Sequence, residues 1–391
     1  MKKLKMGIVG LGRGAGVGAM LREQSKLIEV TAICDIDEER LLNVVKKFGG
    51  ADAGVAAANG NAGTAFEGET YISYDEMLQN ADMEAVYLAT PIPTHADMVV
   101  QALNAGKHVV SEVICATTLE DCTRIQKAIQ KSGKKYLMAE QYCFLRPWSI
   151  IMNMVKAGLF GEIFYAEGNY SMDFTQRPGY PYVGGWRQNV YHMHRGHVYI
   201  THSLGPLAML FNEDLKYVSS MGSGSYPRHW GLRADNTTVL TIQTESRKLI
   251  HLKQDFLSPR PSDFLYYAFQ GTKGGFEGSH SYNGPFVREI QKMDQRVYLH
   301  GQGEPGKWRD LEEFADEFLP DYWKNIPAEW FDNGYNGGTV PIFEMFADAV
   351  LNNTPVPLSP EETLNWTAAG ICSEMSSDQN GVPVEIPVYH D

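Results

Sequence analysis

The sequence has few cysteines and lacks a long apolar run. Five of its 391 residues are cysteines, an odd number without the pairing typical of a metal site, at positions 34, 115, 122, 143 and 372. Their apolar surroundings indicate reduced thiols inside a protein core. No apolar run approaches the length of a membrane span, and the basic residues at the start are not followed by a secretory apolar segment. We therefore expect a cytoplasmic protein with no membrane partner.

Positive charge is also scarce. The chain has 34 lysine and arginine residues against 47 aspartate and glutamate residues, which gives a formal net charge of -13. Because no basic stripe is present to neutralise phosphates, neither a nucleic acid nor an anionic membrane surface is an expected partner. Aromatic residues are plentiful, with 7 Trp and 20 Tyr. They suit a site that stacks on sugar rings, and they suit a large core equally well.

Near its start the sequence contains an apolar strand, a glycine turn and a helix, in that order. The run over residues 6–16, MGIVGLGRGAG, fits the looser G-x-G-x-x-A form of a dinucleotide-binding turn. Glycine lets the backbone come close to a pyrophosphate, and the helix that follows offers unpaired N–H groups and a positive dipole end. The candidate cofactor-binding residues of this turn are Gly10, Gly12, Arg13 and Gly14.

A second apolar strand, over residues 28–34, ends at Asp35. An acidic residue at this point of a dinucleotide-binding fold bonds the ribose 2′-hydroxyl, and its charge repels the 2′-phosphate of NADP. Asp35 therefore indicates NAD as the cofactor. In the alternative interpretation, Asp35 and Asp37 cap the helix predicted over residues 38–48.

The alternation of strands and helices divides the chain into two predicted domains. Up to residue 139, apolar strands alternate with helices, which predicts a Rossmann-type, doubly wound parallel sheet of the α/β class. The glycine- and alanine-rich stretch over 49–68 is predicted to be a loop. From residue 140 to 391, long β-rich runs are framed by two late helices. We expect the second domain to be α+β, with a large open mixed or antiparallel sheet.

Several motifs of the first domain resemble the Gfo/Idh/MocA oxidoreductases. They are the glycine turn, the run Ala89-Thr90-Pro91 with His95, the run ALNAGKHV over 102–109, and Glu112. The resemblance implies a Rossmann domain joined to a substrate-binding α/β domain, with NAD or NADP acting on sugars or polyols. It also implies a homo-oligomer, a dimer or tetramer, formed through the open sheet. The implied cofactor-binding residues include Thr90, Pro91, His95 and Glu112.

The departures from that family are equally informative. The usual Glu-Lys-Pro is Glu112-Val113-Ile114, so the lysine that assists proton transfer is absent, and the usual Asp four residues before the catalytic His is Val198. These changes are similar to the branch that contains glycoside hydrolase family 109. The run YITHSLGP over 199–206 resembles that branch's YPTHGLGP signature. Further similarities are Glu140 with Tyr142, the pair Trp186-Arg187, and Gly337-Gly338.

The resemblance to this branch implies redox chemistry at a sugar ring carbon with recycled NAD. Oxidation at C3 acidifies the C2 proton, and the C1 substituent leaves by elimination. Water then adds to the enone, and the NADH formed earlier reduces C3 again, so that the net reaction is hydrolysis. This route requires at least two positioned proton-transfer groups. The catalytic candidates are His202 as base, Tyr199 as its partner or a second base, Tyr142 as acid, and Glu140. An ordinary NAD(H)-releasing sugar dehydrogenase and a non-catalytic dinucleotide and sugar sensor are the alternatives.

Each of these candidates also has a purely structural interpretation. His202 would start a helix that Thr201 caps, Glu140 would cap the next helix, and His95 would mark a helix N-terminus. Trp186 and Arg187 would clamp the cofactor or form a surface stacking contact. The histidines at 192, 194 and 197 lack helical zinc-ligand spacing, so no metal is expected and they are interpreted as substrate-loop residues.

Overall fold

The chain folds into two compact units. Unit 1 contains Met1–Ala139 and Thr339–Thr363, and unit 2 contains Glu140–Gly338 and Leu364–Asp391. The computed structural model describes residues 2–48, 66–173, 186, 190, 193–226, 232–261, 263–278, 280, 294–302, 305–324 and 338–390. None of the helices formed by these residues combines the length and the apolar character needed to cross a bilayer.

Unit 1 is built on a six-stranded parallel sheet. Its strands are β1 (Leu4–Val9), β2 (Ile28–Cys34), β3 (Glu69–Tyr71), β4 (Ala85–Leu88), β5 (His108–Ser111) and β6 (Tyr136–Met138). Their order in the sheet is β3-β2-β1-β4-β5-β6, and every paired strand is parallel to its neighbour. The predicted doubly wound Rossmann sheet is thereby confirmed.

In the part of unit 1 that the structure describes, five helices connect the strands: α1 (Gly14–Gln24), α2 (Glu38–Phe48), α3 (Tyr74–Asn80), α4 (His95–Asn104) and α5 (Leu119–Ser132). Local sequence sets several of their ends. The hydroxyl of Ser73 accepts the amide hydrogen of Glu76 and caps α3, and Thr118 does the same for α5 through Asp121. Gly133 ends α5 with a positive φ of 62°.

Helix α10 (Thr339–Leu351) belongs to unit 1, whereas the sequence predicts it in the second domain. Its number follows the chain order, after the unit 2 helices given below. The structure groups Thr339–Thr363 with unit 1. The helix is strongly apolar, and Phe343 packs edge-on against Tyr87 of β4 with 5.0 Å between ring centroids. Its Glu344 accepts the amide hydrogen of Leu27 at 3.1 Å. These contacts join two parts of the chain that are far apart in sequence.

Unit 2 is built on a nine-stranded mixed sheet, as the sequence predicts. Its strands are β7 (Ile163–Ser171), β8 (Leu215–Gly222), β9 (Thr237–Thr244), β10 (Leu249–Asp255), β11 (Asp263–Gly271), β12 (Gly274–Gly278), β13 (Gln295–Leu299), β14 (Arg309–Asp310) and β15 (Val384–Glu385). The order is β14-β13-β12-β11-β7-β10-β9-β8-β15. Among the described strands of this second sheet, only β7 and β10 pair in parallel.

The helices of unit 2 are α6 (Arg146–Lys156), α7 (Thr201–Met209), α8 (Ala315–Phe318), α9 (Asp321–Lys324) and most of α11 (Pro360–Asp378). Helix α7 packs on the middle of the sheet. A Cβ at Gly168 of β7 would lie 3.0 Å from the Leu207 side chain, so the glycine allows this close approach. The side chains that surround the first turn of α7 therefore come from this face of the sheet.

Candidate active site

The glycine turn of unit 1 has the geometry of a dinucleotide cradle. Gly10 follows β1 with φ of 88°, and a Cβ there would lie 2.5 Å from the Ala89 carbonyl oxygen. Gly14 donates its amide hydrogen to the Gly10 carbonyl at 3.0 Å as α1 begins. A Cβ at Gly12 would meet no atom within 4 Å, so space remains beside the turn. Arg13 is the residue before the first turn of α1. The turn fits a pyrophosphate.

Asp35 supports this turn directly. Its buried carboxylate accepts the amide hydrogens of Leu11 at 2.7 Å and of Asp37 at 2.9 Å, and Arg40 lies at 3.2 Å. Helix α2 is capped instead by Asp37, which accepts the amide hydrogen of Arg40 at 3.0 Å. The alternative in which Asp35 is the helix cap is thus not what the geometry shows, and the carboxylate stays at the end of β2.

Four candidates of unit 1 lie at one edge of its sheet. Gly10, Asp35, Thr90 and Glu112 each come just after a strand, and the carboxyl ends of parallel strands share an edge. This edge is where open α/β sheets bind their ligands. Glu112 is held there by the buried Tyr87 hydroxyl, which donates to it at 2.6 Å.

His95 has a structural role in unit 1. The side chain is 1% exposed, with Nδ1 2.8 Å from the Ile114 carbonyl oxygen and Nε2 2.9 Å from that of Thr90. Burial lowers the pKa of this imidazole. Helix α4 begins at His95 after the Pro91 turn, which agrees with the alternative interpretation. The ring ties the turn after β4 to the loop after β5.

In unit 2, Glu140, His202 and Tyr199 form a chain of hydrogen-bonded side chains. His202 Nδ1 lies 2.8 Å from Glu140 Oε1, and His202 Nε2 lies 3.1 Å from the Tyr199 hydroxyl. The Glu140 side chain is fully buried and that of His202 is 8% exposed. A carboxylate at Nδ1 favours the tautomer with its proton on Nδ1, which leaves Nε2 able to accept a proton. The arrangement can therefore move a proton at Nε2.

Side chains of the sheet hydrogen-bond the backbone next to Tyr199 and His202. Tyr199 ends a short 3-10 helix (Gly196–Tyr199), and its carbonyl accepts the Gln254 side-chain amide at 3.0 Å. The His202 carbonyl accepts the Tyr267 hydroxyl at 2.6 Å. Tyr199 and His202 belong to different helices, and the N-terminus of α7 has no side-chain cap, so the expected Thr201 cap does not form.

Two further tyrosines surround the His202 imidazole. The Tyr142 ring stacks on it with 4.4 Å between centroids and an interplanar angle of 28°, and Tyr170 of β7 lies at 5.5 Å. Burial raises the pKa of Tyr142 well above its usual value, so its phenol keeps the proton. Sequence analysis did not single out Tyr170 or Tyr267. Each projects from a strand toward α7, and strand periodicity identifies a face but not its contacts.

Glu140 is both the cap of a short helix and a candidate catalytic residue. It precedes a short 3-10 helix and accepts the Tyr142 amide hydrogen at 3.3 Å, as a cap does. Its Oε2 is buried without a hydrogen-bond partner among the described residues. A Cβ at Gly205 of α7 would lie 3.1 Å from Glu140 Cγ, so α7 packs directly on this side chain. A buried carboxylate oxygen without a partner is unusual, which makes Glu140 a candidate functional residue.

The remaining candidates are the pair at 186 and 187, the glycine at 337 and the histidines at 192, 194 and 197. Arg187, His192 and Gly337 lie outside the described residues, and Trp186 is partly buried. His197 is fully buried, with Nδ1 3.2 Å from the Thr238 hydroxyl, so a contact with a substrate hydroxyl does not fit it. His194 pairs with Glu374 at 3.0 Å. Within the described ranges, no group of three or more His, Cys, Asp or Glu side chains has the arrangement of a metal site.

Two family models together match almost the whole chain. The model described as "Oxidoreductase family, NAD-binding Rossmann fold" matches residues 4–140. The model described as "Glycosyl hydrolase 109, C-terminal domain" matches residues 144–390. The chain is 27% identical to a glycosyl hydrolase family 109 protein of Parabacteroides distasonis, over 92% of this chain and 81% of that protein. It is 25% identical to an alpha-N-acetylgalactosaminidase of Shewanella oneidensis, over 100% of this chain and 85% of that protein.

Solved structures share the fold at lower identity. The WlbA dehydrogenase of Bordetella pertussis, in complex with NADH and UDP-GlcNAcA, has a TM-score of 0.71 and 19% identity, with 99% of this chain and 98% of that chain covered. The scyllo-inositol dehydrogenase of Lactobacillus casei, with bound NAD(H) and scyllo-inositol, has a TM-score of 0.69 and 18% identity, with 98% of this chain and 99% of that chain covered.

Proposed function

Because the chain belongs to the glycosyl hydrolase 109 family, we propose that it hydrolyses a glycosidic bond, with an α-linked N-acetylgalactosaminide as the first candidate substrate. The chain is an NAD-dependent enzyme of the Gfo/Idh/MocA oxidoreductase fold. Relatives of near full-length coverage that are named alpha-N-acetylgalactosaminidase support the choice of sugar. When bound, NAD supplies a reversible hydride acceptor for a ring carbon, which leaves the overall reaction redox-neutral.

The cofactor is assigned to residues that fit it. The turn at Gly10, Gly12 and Gly14, with Arg13, would hold the pyrophosphate, since it leaves open space beside a helix N-terminus. Asp35 would bind the ribose from the end of β2. Thr90, Pro91 and Glu112 complete the proposed set in unit 1 through the turns after β4 and β5, and His95 supports these turns. Trp186 and Arg187 are proposed as cofactor contacts from the sequence resemblance alone.

His202 is the proposed base for the sugar hydroxyl. Its Nε2 accepts the hydroxyl proton, and the imidazolium that forms is stabilised by Glu140 at Nδ1. Tyr199, hydrogen-bonded to the same Nε2, then exchanges a proton with the imidazole or with the substrate. Glu140 is in this scheme a positioning residue that fixes the ring and its tautomer.

Tyr142 is the proposed proton donor to the leaving group. Burial raises the pKa of this phenol well above its usual value, so the hydroxyl carries a proton at neutral pH. The stacking of its ring on the His202 imidazole, with 4.4 Å between centroids, supports a shared role for the two side chains. The elimination that follows oxidation needs a second base, and Tyr199 and Tyr170 are the phenols beside the imidazole that remain for it.

The single observation that carries this proposal is the Glu140–His202–Tyr199 chain, combined with a hydrophobic residue at the lysine position of ordinary dehydrogenases. That position is Val113, which is 4% exposed. A simple alcohol dehydrogenation by a Lys, Asp and His set is therefore not supported. The proton transfers of an elimination and addition are instead served by imidazole and phenol groups.

The test is a screen of nitrophenyl α- and β-glycosides without added NAD, combined with measurement of NAD released on denaturation. We expect nitrophenol release from the α-N-acetylgalactosaminide, bound NAD near one equivalent, and no growth of NADH absorbance. His202→Ala should keep the NAD and lose turnover, whereas the exposed His390→Ala should retain both. NADH accumulation with free sugars and no nitrophenol release would establish the ordinary dehydrogenase instead. Saturable sugar binding without any turnover would establish the sensor.

The expected homo-oligomer and cytoplasmic location remain proposals. Several large apolar side chains of the unit 2 sheet are exposed, among them Phe164, Met221 and Val239 at 46%, 63% and 42%, and their burial against a second copy would form a dimer or tetramer. Sedimentation velocity tests this. All five cysteines are free and buried, which suits a reducing compartment; cell fractionation tests the location.

A further inference from the structure

We propose that Arg195 is a positioning residue for the reaction, because it anchors the segment that carries Tyr199 and His202. The inference rests on the proposed function of these two side chains. Arg195 is the residue before the 3-10 helix (Gly196–Tyr199), and the Val198 amide donates to its carbonyl at 3.2 Å. A shift of Arg195 is therefore transmitted to Tyr199 within one short helix.

Three carboxylates of unit 2 hold Arg195. One guanidinium nitrogen lies 2.8 Å and 2.6 Å from the two oxygens of Asp235, and Nε lies 3.2 Å from Asp378. The backbone amide of Arg195 donates to Glu374 at 3.3 Å. Both the side chain and the backbone of the residue are thus fixed. These hydrogen bonds fix the position and direction of the backbone where the 3-10 helix begins.

The principal partner, Asp235, is itself immobile. Its side chain is fully buried, and it also accepts the Gly224 amide hydrogen at 2.7 Å. A Cβ at Gly222 of β8 would collide with the Asp235 carboxylate, so the glycine is what admits the carboxylate to this place. A buried carboxylate beside a guanidinium gives a strong and directional contact. Arg195 is therefore tied to the sheet, not to solvent.

Further anchors follow along the same segment at short intervals. His197 bonds Thr238, the Tyr199 carbonyl bonds Gln254, and the His202 carbonyl bonds Tyr267. On the opposite side, a Cβ at Gly370 of α11 would lie 3.0 Å from the His197 carbonyl. The segment is clamped between α11 and the sheet, and Arg195 contributes its charged anchor at the N-terminal end.

Arg233 provides a matched control within the same cluster. It pairs with Glu374 at 3.0 Å and also with Asp378, the two acids that Arg195 uses besides Asp235. Its side chain is 42% exposed, and it lies before β9, not on the chain that leads to Tyr199. Loss of Arg233 removes two ion pairs from the cluster but leaves the start of the 3-10 helix attached to Asp235.

The experiment compares Arg195→Lys, the double variant Arg195→Gln/Asp235→Asn, and Arg233→Gln in the full-length protein. The double variant avoids an unpaired buried Asp235, which would threaten folding. We expect kcat of the double variant to fall about 10- to 100-fold with KM changed less, as for a small misplacement of reacting groups. Arg195→Lys should recover part of that loss. Arg233→Gln should stay within about threefold of the wild type, and bound NAD should be unchanged throughout.

A second readout does not depend on turnover. Histidine ring ¹⁵N resonances, assigned to His202 by its Ala variant, report which nitrogen carries the proton. We expect this pattern to change in the double variant and to persist in Arg233→Gln. Equal losses of kcat in both variants, or an unchanged His202 pattern in the double variant, would overturn the inference. Wild-type turnover in His202→Ala would instead overturn the proposed function, so the two failures are distinguishable.

Discussion

Replacement of Glu140 by Gln perturbs the candidate site with the least change of shape. The carboxylate accepts the His202 Nδ1 proton at 2.8 Å in a fully buried position. A hydrogen bond to a charged group contributes about 1.5–3 kcal/mol, which corresponds to roughly 10- to 150-fold in rate at 1.36 kcal/mol per factor of ten. If the new amide donates to Nδ1, the proton moves to Nε2, and the loss approaches about 10⁴-fold, as known for the wrong tautomer in a hydrolytic triad.

Stability should move in the other direction. Glu140 Oε2 is buried without a partner among the described residues, so a neutral amide removes a desolvated charge. We expect Glu140→Gln to lose kcat by about 10- to 10⁴-fold with the same or a higher Tm. Glu140→Asp keeps the charge but shortens the reach by about 1.5 Å and should be intermediate.

The assay is steady-state nitrophenol release together with thermal unfolding of each variant. Asp214→Asn is the matched control, because Asp214 also pairs with a histidine, the exposed His390, at 2.7 Å. That variant should keep kcat within about twofold, as exposed ion pairs contribute little. A Glu140→Gln enzyme with kcat within threefold of the wild type, at unchanged Tm, would refute the positioning role.

Three further outcomes test the cofactor site and the core. Asp35→Asn, which keeps an acceptor for the Leu11 amide, should weaken NAD and reduce discrimination against NADP by about tenfold; equilibrium binding of both cofactors measures this, and an unchanged ratio would contradict it. Gly10→Ala should lose NAD and lower Tm, because φ at Gly10 is 88° and the new Cβ would meet Ala89. Gly12→Ala has free space at Cβ and should lose NAD at unchanged Tm. Equal Tm losses in the two variants would contradict the proposed pyrophosphate site. Burial lowers the pKa of His197 to about 4, so the unfolded chain binds this proton before the folded chain does as pH falls. About 3 kcal/mol of folding free energy should therefore be lost between pH 6.5 and 4. Denaturant titrations should show a flatter dependence of stability on pH for His197→Gln, and a dependence identical to that of the wild type would contradict the prediction.

The fold of unit 1 was largely predictable because its information is local. Most of its strands are short apolar runs, helices α3 and α5 have their own side-chain caps, and the order of elements determines a doubly wound sheet. The assignment of α10 to unit 1 was not predictable. It depends on Phe343 meeting Tyr87, a packing contact between residues more than 250 positions apart that periodicity cannot indicate.

The candidate site was predictable in its members but not in its connections. The signature over 199–206 identified Tyr199 and His202, and the further resemblance to the same branch identified Glu140. That Glu140 reaches the imidazole depends on α7 packing against it at Gly205. Tyr170 of β7 comes within 5.5 Å of the imidazole only once α7 packs on the sheet. The interpretation of His197 as a substrate residue failed because burial is a tertiary property. Strands β12–β15 have only two to five residues each, and their sequence signals are weak. Of these four, β14 and β15 lie at the edges of the sheet.

The central claim is that the glycosidic bond breaks by oxidation, elimination and addition, with the proton at C2 removed along the way. The direct measurement is turnover of the nitrophenyl glycoside in D₂O, with product analysis by NMR. The account predicts deuterium at C2 of the released sugar and no accumulation of NADH. A product that retains its C2 proton fully, formed at the normal rate, would contradict it and indicate direct displacement at C1.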